Sequence, residues 1–435
     1  MIDAVSRFRW LIAVCAILAA ASLAHAAEGS TQPAAQPGDE LSIFLITIEP
    51  GDLIFEKFGH NAIVVHDSLA GTERLYNYGV FDFDQNRFFV KFLKGELDYW
   101  MESTDGPGTI AWYAQYNRSI WAQELNLSAE QKVKLRDFLL WNERDENKFY
   151  RYNYYTDNCS TRVRDAIDKV LGGQIKAQLD PRATGTTFRW HTRRLTRVEP
   201  IWYTLLNTVL GPATDRPISQ WGESFLPLKL RDHIRSVTIK TPDGGDVPLV
   251  KSERTLFTST RLPEPTSPPL WWPWYFLIGA VVGGIILLLA RVAPRNKWAR
   301  RGFGVVATGY AVLLALCGWF GLWTWFGSSH WAAWRNENLF GYSPLALLLV
   351  VTLPMVARRT KNRRAFQLAV WSAIFVAGSS VLGVILSVML PQRVAEPMAL
   401  VLPINVALAW AVYNLSKSIT DAKQPRPSPH PQRAS

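Results

Sequence analysis

Cysteine is scarce in this sequence, with 3 residues among 435. That number excludes a small fold held together by a framework of disulfides. Cys15 and Cys317 both lie in strongly apolar stretches, so Cys159 is the one cysteine in the polar part of the chain. The chain also lacks a zinc-type cysteine and histidine pattern and a glycine-rich phosphate loop, so we predict no metal and no cofactor.

Acidic residues are rare in the last third of the chain. Residues 271–435 carry 16 Lys and Arg against 3 Asp and Glu, while the first 270 residues carry 31 against 33. The excess positive charge therefore lies in the most apolar part of the sequence. This distribution indicates membrane topology and argues against a nucleic-acid partner.

Ionisable side chains are missing from the middle of five apolar stretches. These stretches follow a proline-rich linker and cover 271–290, 303–326, 343–357, 366–390 and 398–415. All but the third approach the ~20 residues that a helix needs to span a bilayer. We therefore predict a five-helix transmembrane domain at 271–415. The missing charges disfavour an ion pump or a proton-coupled transporter.

Charges between the apolar stretches predict which side each connection faces. Basic clusters at 291–301 and 358–364 are typical of cytoplasmic loops, and the connections at 328–343 and 391–397 are balanced in charge. At the N-terminus, two arginines, an apolar run and Ala24-His25-Ala26 predict a signal peptide at 1–26, with an uncleaved anchor helix as the alternative. The sequence thus predicts an extracytoplasmic domain at 28–265 and a disordered cytoplasmic tail at 416–435.

The extracytoplasmic domain has the patterns of an α+β fold. Apolar or alternating runs predict strands at 41–48, 62–65 and 74–80. Ser128 and Gln131 have the spacing of a capping box and predict a helix that continues through Asn142.

Cys159 is an unpaired thiol in a domain that we expect to face an oxidising compartment, which favours a catalytic role. Asp157 or Asn158 can cap a helix whose apolar positions follow Cys159 at helical spacing. The sulfur would then lie in the first helical turn, where the backbone amides and the helix dipole favour the thiolate and can hold an oxyanion. A buried structural cysteine is the alternative.

A thiol nucleophile usually has an imidazole partner. His60 stands at the start of an apolar strand, and His66 ends the same strand some 20 Å away, so only one of them can serve Cys159. We select His60 as the general base. Asn77, on the next predicted strand, is the candidate for orienting its ring.

Three segments together resemble a known family. They are Phe58-Gly59-His60, the stretch from Tyr76 to Phe83, and the stretch from Asp157 to Asp165. This combination resembles the Lnb N-terminal periplasmic domain family over residues 40–210, and the multi-span C-terminal half is similar in layout. The resemblance implies a permuted papain-like fold of the kind shared by NlpC-type peptidases and lecithin:retinol acyltransferase-like enzymes.

The resemblance also implies a function and a location. It implies a thiol acyltransferase of lipoprotein maturation, in the bacterial inner membrane, with its catalytic domain in the periplasm. A Cys159 thioester would carry a fatty acyl chain from membrane phospholipid, the donor, to the N-terminal amine of a diacylglyceryl-cysteine lipoprotein, the acceptor. The oligomeric state is not predicted.

Site residues follow from the resemblance position by position. Cys159 is the implied nucleophile and His60 the base, and Asn77 matches a position of uncertain role. The candidates for substrate binding are Asn158, Arg162, Arg164, Asp165, His330, Asn336 and Asn338. For the charged residues near Cys159, the alternative is that they form salt bridges that support the helix. For His330, Asn336 and Asn338, the alternative is that they belong to an ordinary polar loop.

Two other functions remain open from the sequence. A membrane-tethered papain-like amidase or peptidase acting on cell-wall peptides needs the same residues and the same compartment. A membrane-anchored binding or sensor domain needs no reactive thiol, and it predicts that Cys159 is buried and unreactive.

Overall fold

The computed structural model describes residues 36–241, 243–358 and 362–421. The predicted signal peptide, Cys15 and the end of the predicted tail lie outside the described residues. The fold is a mixed α/β domain followed by a helical, membrane-type region.

A seven-stranded antiparallel sheet forms the centre of the first domain. Its strand order is β11-β5-β1-β2-β3-β4-β6. The strands are β1 (Leu41–Ile48), β2 (His60–Asp67), β3 (Thr72–Val80), β4 (Asp98–Asp105), β5 (Ile120–Leu125), β6 (Phe149–Arg151) and β11 (Val250–Phe257). The three predicted strands are confirmed as β1, β2 and β3, the last two being longer than predicted. Two small sheets, β7 (Ala183–Thr187) with β8 (Pro217–Ser219) and β9 (Thr238–Lys240) with β10 (Asp246–Pro248), complete the strands.

Helices cover both faces of the sheet. They are α1 (Phe88–Lys94), α2 (Gly106–Gln115), α3 (Ala129–Asn142), α4 (Cys159–Val170), α5 (Gln174–Leu179), α6 (Phe188–Thr196), α7 (Pro200–Val209), α8 (Gln220–Glu223) and α9 (Pro227–Ile234). The predicted capping box is confirmed, because Ser128 N donates to Gln131 Oε1 at 3.0 Å and Gln131 N donates to Ser128 Oγ at 3.3 Å.

Successive side chains of β2 point alternately into two separate apolar cores. Ile63 and Val65 pack in one core with α3 and α4, and Cys159 belongs to this core. Ala62 and Val64 pack in the other core, against Tyr113 and its neighbours on α2. The period-2 geometry of a strand accounts for this division.

Among the described residues of the membrane region, four helices are long and apolar enough to span a bilayer. These are α10 (Trp272–Val292), α11 (Lys297–Gly327), α13 (Arg363–Leu386) and α14 (Ala395–Asp421). The remaining apolar stretch forms α12 (Ala346–Ala357), which has 12 residues and contains Pro354. Helix α14 continues past the predicted end at 415, so the first residues of the predicted tail are helical.

Buried polar contacts join the two regions. Glu396, 5% exposed at the start of α14, accepts hydrogen bonds from Arg193 at 2.7 Å, from the Tyr203 hydroxyl at 2.6 Å and from the Asn207 amide at 2.9 Å. Ser329, just after α11, donates from its backbone N–H to the carbonyl of Lys94 at 2.8 Å. The segments that follow α11 and precede α14 therefore lie on the side of the α/β domain, as the loop charges predicted.

Candidate active site

Cys159 is the first residue of helix α4, and the N-terminus of this helix is capped as the sequence suggested. The side chain of Asn158 accepts from the backbone N–H groups of Ser160 and Thr161, both at 2.9 Å. Asn158 therefore supplies the cap, while Asp157 pairs with the guanidinium of Arg162 at 2.5 Å. The prediction that the sulfur lies in the first turn of a helix is confirmed.

Buried polar contacts hold the start of α4 against strand β2. The Ser160 hydroxyl lies 2.8 Å from Asn61 Oδ1 and 2.7 Å from the carbonyl of Ser224. The Asn61 amide donates to Thr47 Oγ1 at 2.8 Å across the sheet. Because Asn61 follows His60 directly, these contacts place the Cys159 turn beside the first residues of β2.

The ring of His60 is oriented by a short chain of side chains. Asn77 Nδ2 donates to Thr104 Oγ1 at 3.3 Å, which directs Asn77 Oδ1 toward His60 Nε2 at 3.0 Å. An amide oxygen can only accept, so Nε2 carries the proton and Nδ1 keeps its lone pair. The structure therefore places Asn77 where the sequence reasoning expected an orienting group.

Two residues that the sequence did not predict, Tyr113 and Arg118, lie near the His60–Asn77 pair. The ring of Tyr113 lies 6.1 Å from the ring of His60, and the guanidinium of Arg118 lies 5.0 Å from the ring of Tyr113. Arg118 is 3% exposed and pairs with Glu56 at 3.1 Å. Both residues come from α2 and the turn after it, and no periodicity or motif in the sequence links that segment to His60.

Burial controls the protonation of the site. It raises the pKa of the Cys159 thiol, and this effect outweighs the backbone N–H groups of Asn61, Ser160 and Cys159, which lower it. The helix N-terminus therefore lowers the thiol pKa in the expected direction, but burial outweighs it and the net pKa is raised. Burial lowers the pKa of His60 to about 4, although the hydrogen bond that His60 donates to Asn77 raises it. At neutral pH the site holds a neutral thiol and a neutral imidazole.

Gly79 and Tyr150 shape the space beside the sulfur. A Cβ on Gly79 would lie 3.5 Å from Cys159 Cβ and 3.9 Å from Tyr150 Oη. Within the described residues, the buried Tyr150 hydroxyl has no hydrogen-bond partner. A donor without a partner next to a buried thiol is suited to a substrate oxygen. No motif or periodicity in the sequence points to Tyr150, whose strand β6 has only three residues.

The charged residues of the Cys159 motif form local pairs. Arg162, besides Asp157, covers the ring of Tyr150 at 3.8 Å. Arg164 pairs with Asp165 at 2.7 Å and stacks on Trp221 at 3.6 Å. The contacts of all three residues agree with the alternative of salt bridges that support the helix.

The three polar residues of the 328–343 loop occupy different surroundings. His330 Nε2 lies 2.8 Å from the carbonyl of Phe92, and its ring stacks on Tyr154 at 6.1 Å. The amides of Asn336 and Asn338 donate to the carbonyl of Thr208 at the end of α7. The two asparagines therefore join the loop to the α/β domain, and His330 belongs to the aromatic surroundings of the site.

The second histidine of β2 lies away from the site. His66, at the far end of β2, lies 3.6 Å from Glu73. Residues 36–241, 243–358 and 362–421 contain no group of three or more His, Cys, Asp or Glu arranged to hold a metal ion.

The fold and the site define a multi-pass membrane protein with a thiol and an imidazole in its extramembrane domain. Comparison with known families identifies it further. The Lnb N-terminal periplasmic domain matches residues 33–196, and the Lnb transmembrane domain matches residues 276–418. The chain belongs to the Lnb family, and its α/β domain is the periplasmic domain of that family. No curated protein and no solved structure matches the chain.

Proposed function

We propose that this protein is a thiol acyltransferase of the bacterial inner membrane with a permuted papain-like periplasmic domain. It transfers a fatty acyl chain from phospholipid, through a Cys159 thioester, to the N-terminal amine of diacylglyceryl-cysteine lipoproteins. The observation that carries the proposal is the Thr104–Asn77–His60 chain, which leaves Nδ1 of His60 unprotonated, while the backbone N–H of the next residue, Asn61, lies against the Cys159 thiol.

The first half-reaction acylates the enzyme. His60 Nδ1 takes the thiol proton as Cys159 Sγ attacks the ester carbonyl of the phospholipid. The backbone N–H groups of Asn61 and Cys159, with the Tyr150 hydroxyl, stabilise the oxyanion. The ester C–O bond then breaks, and His60 returns the proton to the lysophospholipid oxygen. A neutral resting pair suits this step because the proton moves only when the carbonyl arrives.

The second half-reaction releases the chain to the acceptor. The lipoprotein amine attacks the thioester and gives a proton to His60. The C–S bond breaks, the new amide leaves, and the Cys159 thiolate regains a proton from His60. Attachment to a membrane region supports this sequence, because both donor and acceptor reside in the lipid phase and need no transfer through water.

The test is mass spectrometry of the purified full-length protein after incubation with phospholipid vesicles. The proposal expects an acyl adduct on Cys159, formation of lysophospholipid, and loss of the adduct when a diacylated lipopeptide amine is added. Cys159→Ser should remove the adduct, because a hydroxyl is far less acidic than a thiol. Cys317→Ser is the matched control and should keep it.

The same assay separates the other two functions. A peptidase would cleave cell-wall peptides and leave the lipopeptide unchanged. A binding or sensor domain would leave Cys159 unmodified by either substrate, and that result would overturn the proposal.

A further inference from the structure

Helix α1 exposes an unusual number of apolar side chains. Phe89 is 78% exposed, and Val90, Phe92 and Leu93 are each just over 40% exposed. The neighbouring Phe83 is 60% exposed. A continuous apolar surface of this kind on a domain in water marks a contact with a membrane or with another apolar partner.

The position of α1 identifies that partner as lipid. Ser329, two residues after the spanning helix α11 ends, hydrogen-bonds through both its N–H and its hydroxyl to the carbonyl of Lys94. A Cβ on Gly95 would lie only 2.7 Å from Ser329 Oγ, so the glycine permits this close approach. Helix α1 is thus fixed at the level where a spanning helix leaves the bilayer.

Basic residues accompany the apolar ones. Arg87 directly precedes α1, and Lys91 and Lys94 lie in its last turn, where Lys91 pairs with Asp98 at 2.7 Å. Apolar side chains next to Lys and Arg are typical of helices that lie in the lipid interface, where the cations meet phosphate groups.

A series of aromatic contacts leads from α1 to the active site. Ring centroids are separated by 5.2 Å between Phe88 and Phe83, 4.9 Å between Phe83 and Phe81, 5.1 Å between Phe81 and Tyr99, and 4.3 Å between Tyr99 and Tyr152. We call these five residues the aromatic path. Its last member lies beside Gly79, where a Cβ would be 3.6 Å from Tyr152 Cε2 and 3.5 Å from Cys159 Cβ.

The membrane region contributes to a second series of ring contacts, which also runs from α1 to Tyr152. The His330 ring lies 6.4 Å from the Phe92 ring and 6.1 Å from the Tyr154 ring, and the Tyr154 ring lies 5.8 Å from the Tyr152 ring. Aromatic ring contacts are therefore continuous from the bilayer level to Tyr152, beside Cys159.

We infer that α1 and the aromatic path form the binding site for an acyl chain of the donor phospholipid. The chain leaves the outer leaflet at α1 and lies along the aromatic rings, so that its ester carbonyl reaches Cys159. Arg87 and Lys94 hold the lipid phosphate at the bilayer surface. This inference rests on the proposed function, because it names the site of that reaction's donor.

Photo-crosslinking tests the inference without requiring turnover. The full-length protein is placed in vesicles of phosphatidylglycerol and phosphatidylethanolamine that contain a phospholipid with a diazirine in its acyl chain. The expected result is adducts within residues 81–99, in the wild type and equally in Cys159→Ser. Adducts confined to the spanning helices would overturn the inference.

A variant provides the kinetic test. Phe89→Ser, Phe92→Ser and Leu93→Ser combined should slow acylation of Cys159 by vesicle phospholipid at least about tenfold, because three apolar contacts with lipid are lost. Acylation by water-soluble p-nitrophenyl acetate should change less than about twofold, since the ester reaches the sulfur without α1. Leu69→Ser, at a side chain 85% exposed in the β2–β3 turn, is the control and should leave both rates unchanged.

The outcomes separate this inference from the proposed function. Unchanged acylation by vesicle lipid in the triple variant would overturn the inference and leave the acyltransferase proposal standing. A wild-type Cys159 that accepts no acyl group from either donor would overturn the proposed function, whereas adducts within 81–99 would still show that lipid binds at α1. If the triple variant loses both reactions, the positions of the crosslinked adducts decide whether lipid binds at α1.

Discussion

At the scale of single residues, the site depends on one amide that is 17 positions from the histidine it orients. Asn77 fixes the Nε2–H tautomer of His60, and Thr104 fixes the amide in turn. A neutral amide orients the ring without stabilising the imidazolium as strongly as a carboxylate would. The low pKa of His60, about 4, is consistent with this choice of partner.

The pH dependence of acylation tests this arrangement. Acylation of wild-type Cys159 should remain constant as the pH falls through 6.5 and should decrease only near pH 4, because the base is lost when Nδ1 is protonated. Asn77→Asp should move this decrease to higher pH, since a carboxylate at 3.0 Å favours the imidazolium. The profile is measured by quenched reactions with p-nitrophenyl acetate, with Asn126→Ala as the control.

The same pKa has a consequence for stability. An unfolded imidazole binds its proton near pH 6.5, and the folded one only near pH 4. The unfolded state therefore binds more protons between these values, and the folded state loses stability as the pH falls from 6.5 toward 4. An acid limb near 6.5 in the wild-type activity profile would contradict the assignment of a neutral His60.

At the scale of elements, the end of strand β3 and the start of helix α4 meet closely at Gly79. The register of β3 against β4 shifts between Tyr78 and Val80, and Gly79 adopts a φ of +91° there. The missing side chain leaves room between Cys159 and Tyr152. Glycine adopts this positive φ at the end of a strand more readily than any other residue.

Two glycine substitutions separate strain from obstruction. Gly79→Ala and Gly71→Ala should each destabilise the protein by about 1 kcal/mol, because both glycines have a positive φ. Only Gly79→Ala should also slow acylation of Cys159, since a Cβ at Gly71 would meet nothing within 4 Å. Thermal unfolding and the vesicle assay measure the two effects. Equal activity of the two variants would show that the space at Gly79 is not used by substrate.

At the scale of the whole molecule, the periplasmic domain and the membrane region are joined through buried polar groups. Glu396 accepts from side chains on α6 and α7 and also from the backbone N–H of Trp271 at 3.2 Å. Asn336 and Asn338 add contacts to the end of α7. This junction keeps α1 and the active site at a fixed height above the bilayer.

Removing the charge of Glu396 should weaken the junction. Glu396→Gln leaves the partly buried Arg193 without its counter-charge, which should cost about 3 kcal/mol of stability. The midpoint of thermal unfolding in detergent should fall by several degrees. Glu130→Gln, which breaks the exposed pair with Lys134, is the control and should leave the midpoint nearly unchanged. Equal midpoints for the two variants would show that Glu396 does not stabilise the junction.

The sequence by itself determined the features that depend on local patterns. Alternation and apolar runs defined strands β1 to β3, the capping box at Ser128 defined α3, and the amide-capped turn placed Cys159 at the start of a helix. The same patterns selected His60 at the start of a strand and Asn77 on the next one, and the register that brings them together comes from the structure.

Only the tertiary structure decided the features that combine distant segments. The pKa of Cys159 depends on how completely the surrounding elements bury it, and burial outweighed the helix N-terminus that the sequence reveals. Tyr113, Arg118 and Tyr150 reach the site from other elements, and α1 meets the loop after α11 across more than 230 residues. Such contacts are set by how elements pack, which no local pattern of side chains encodes.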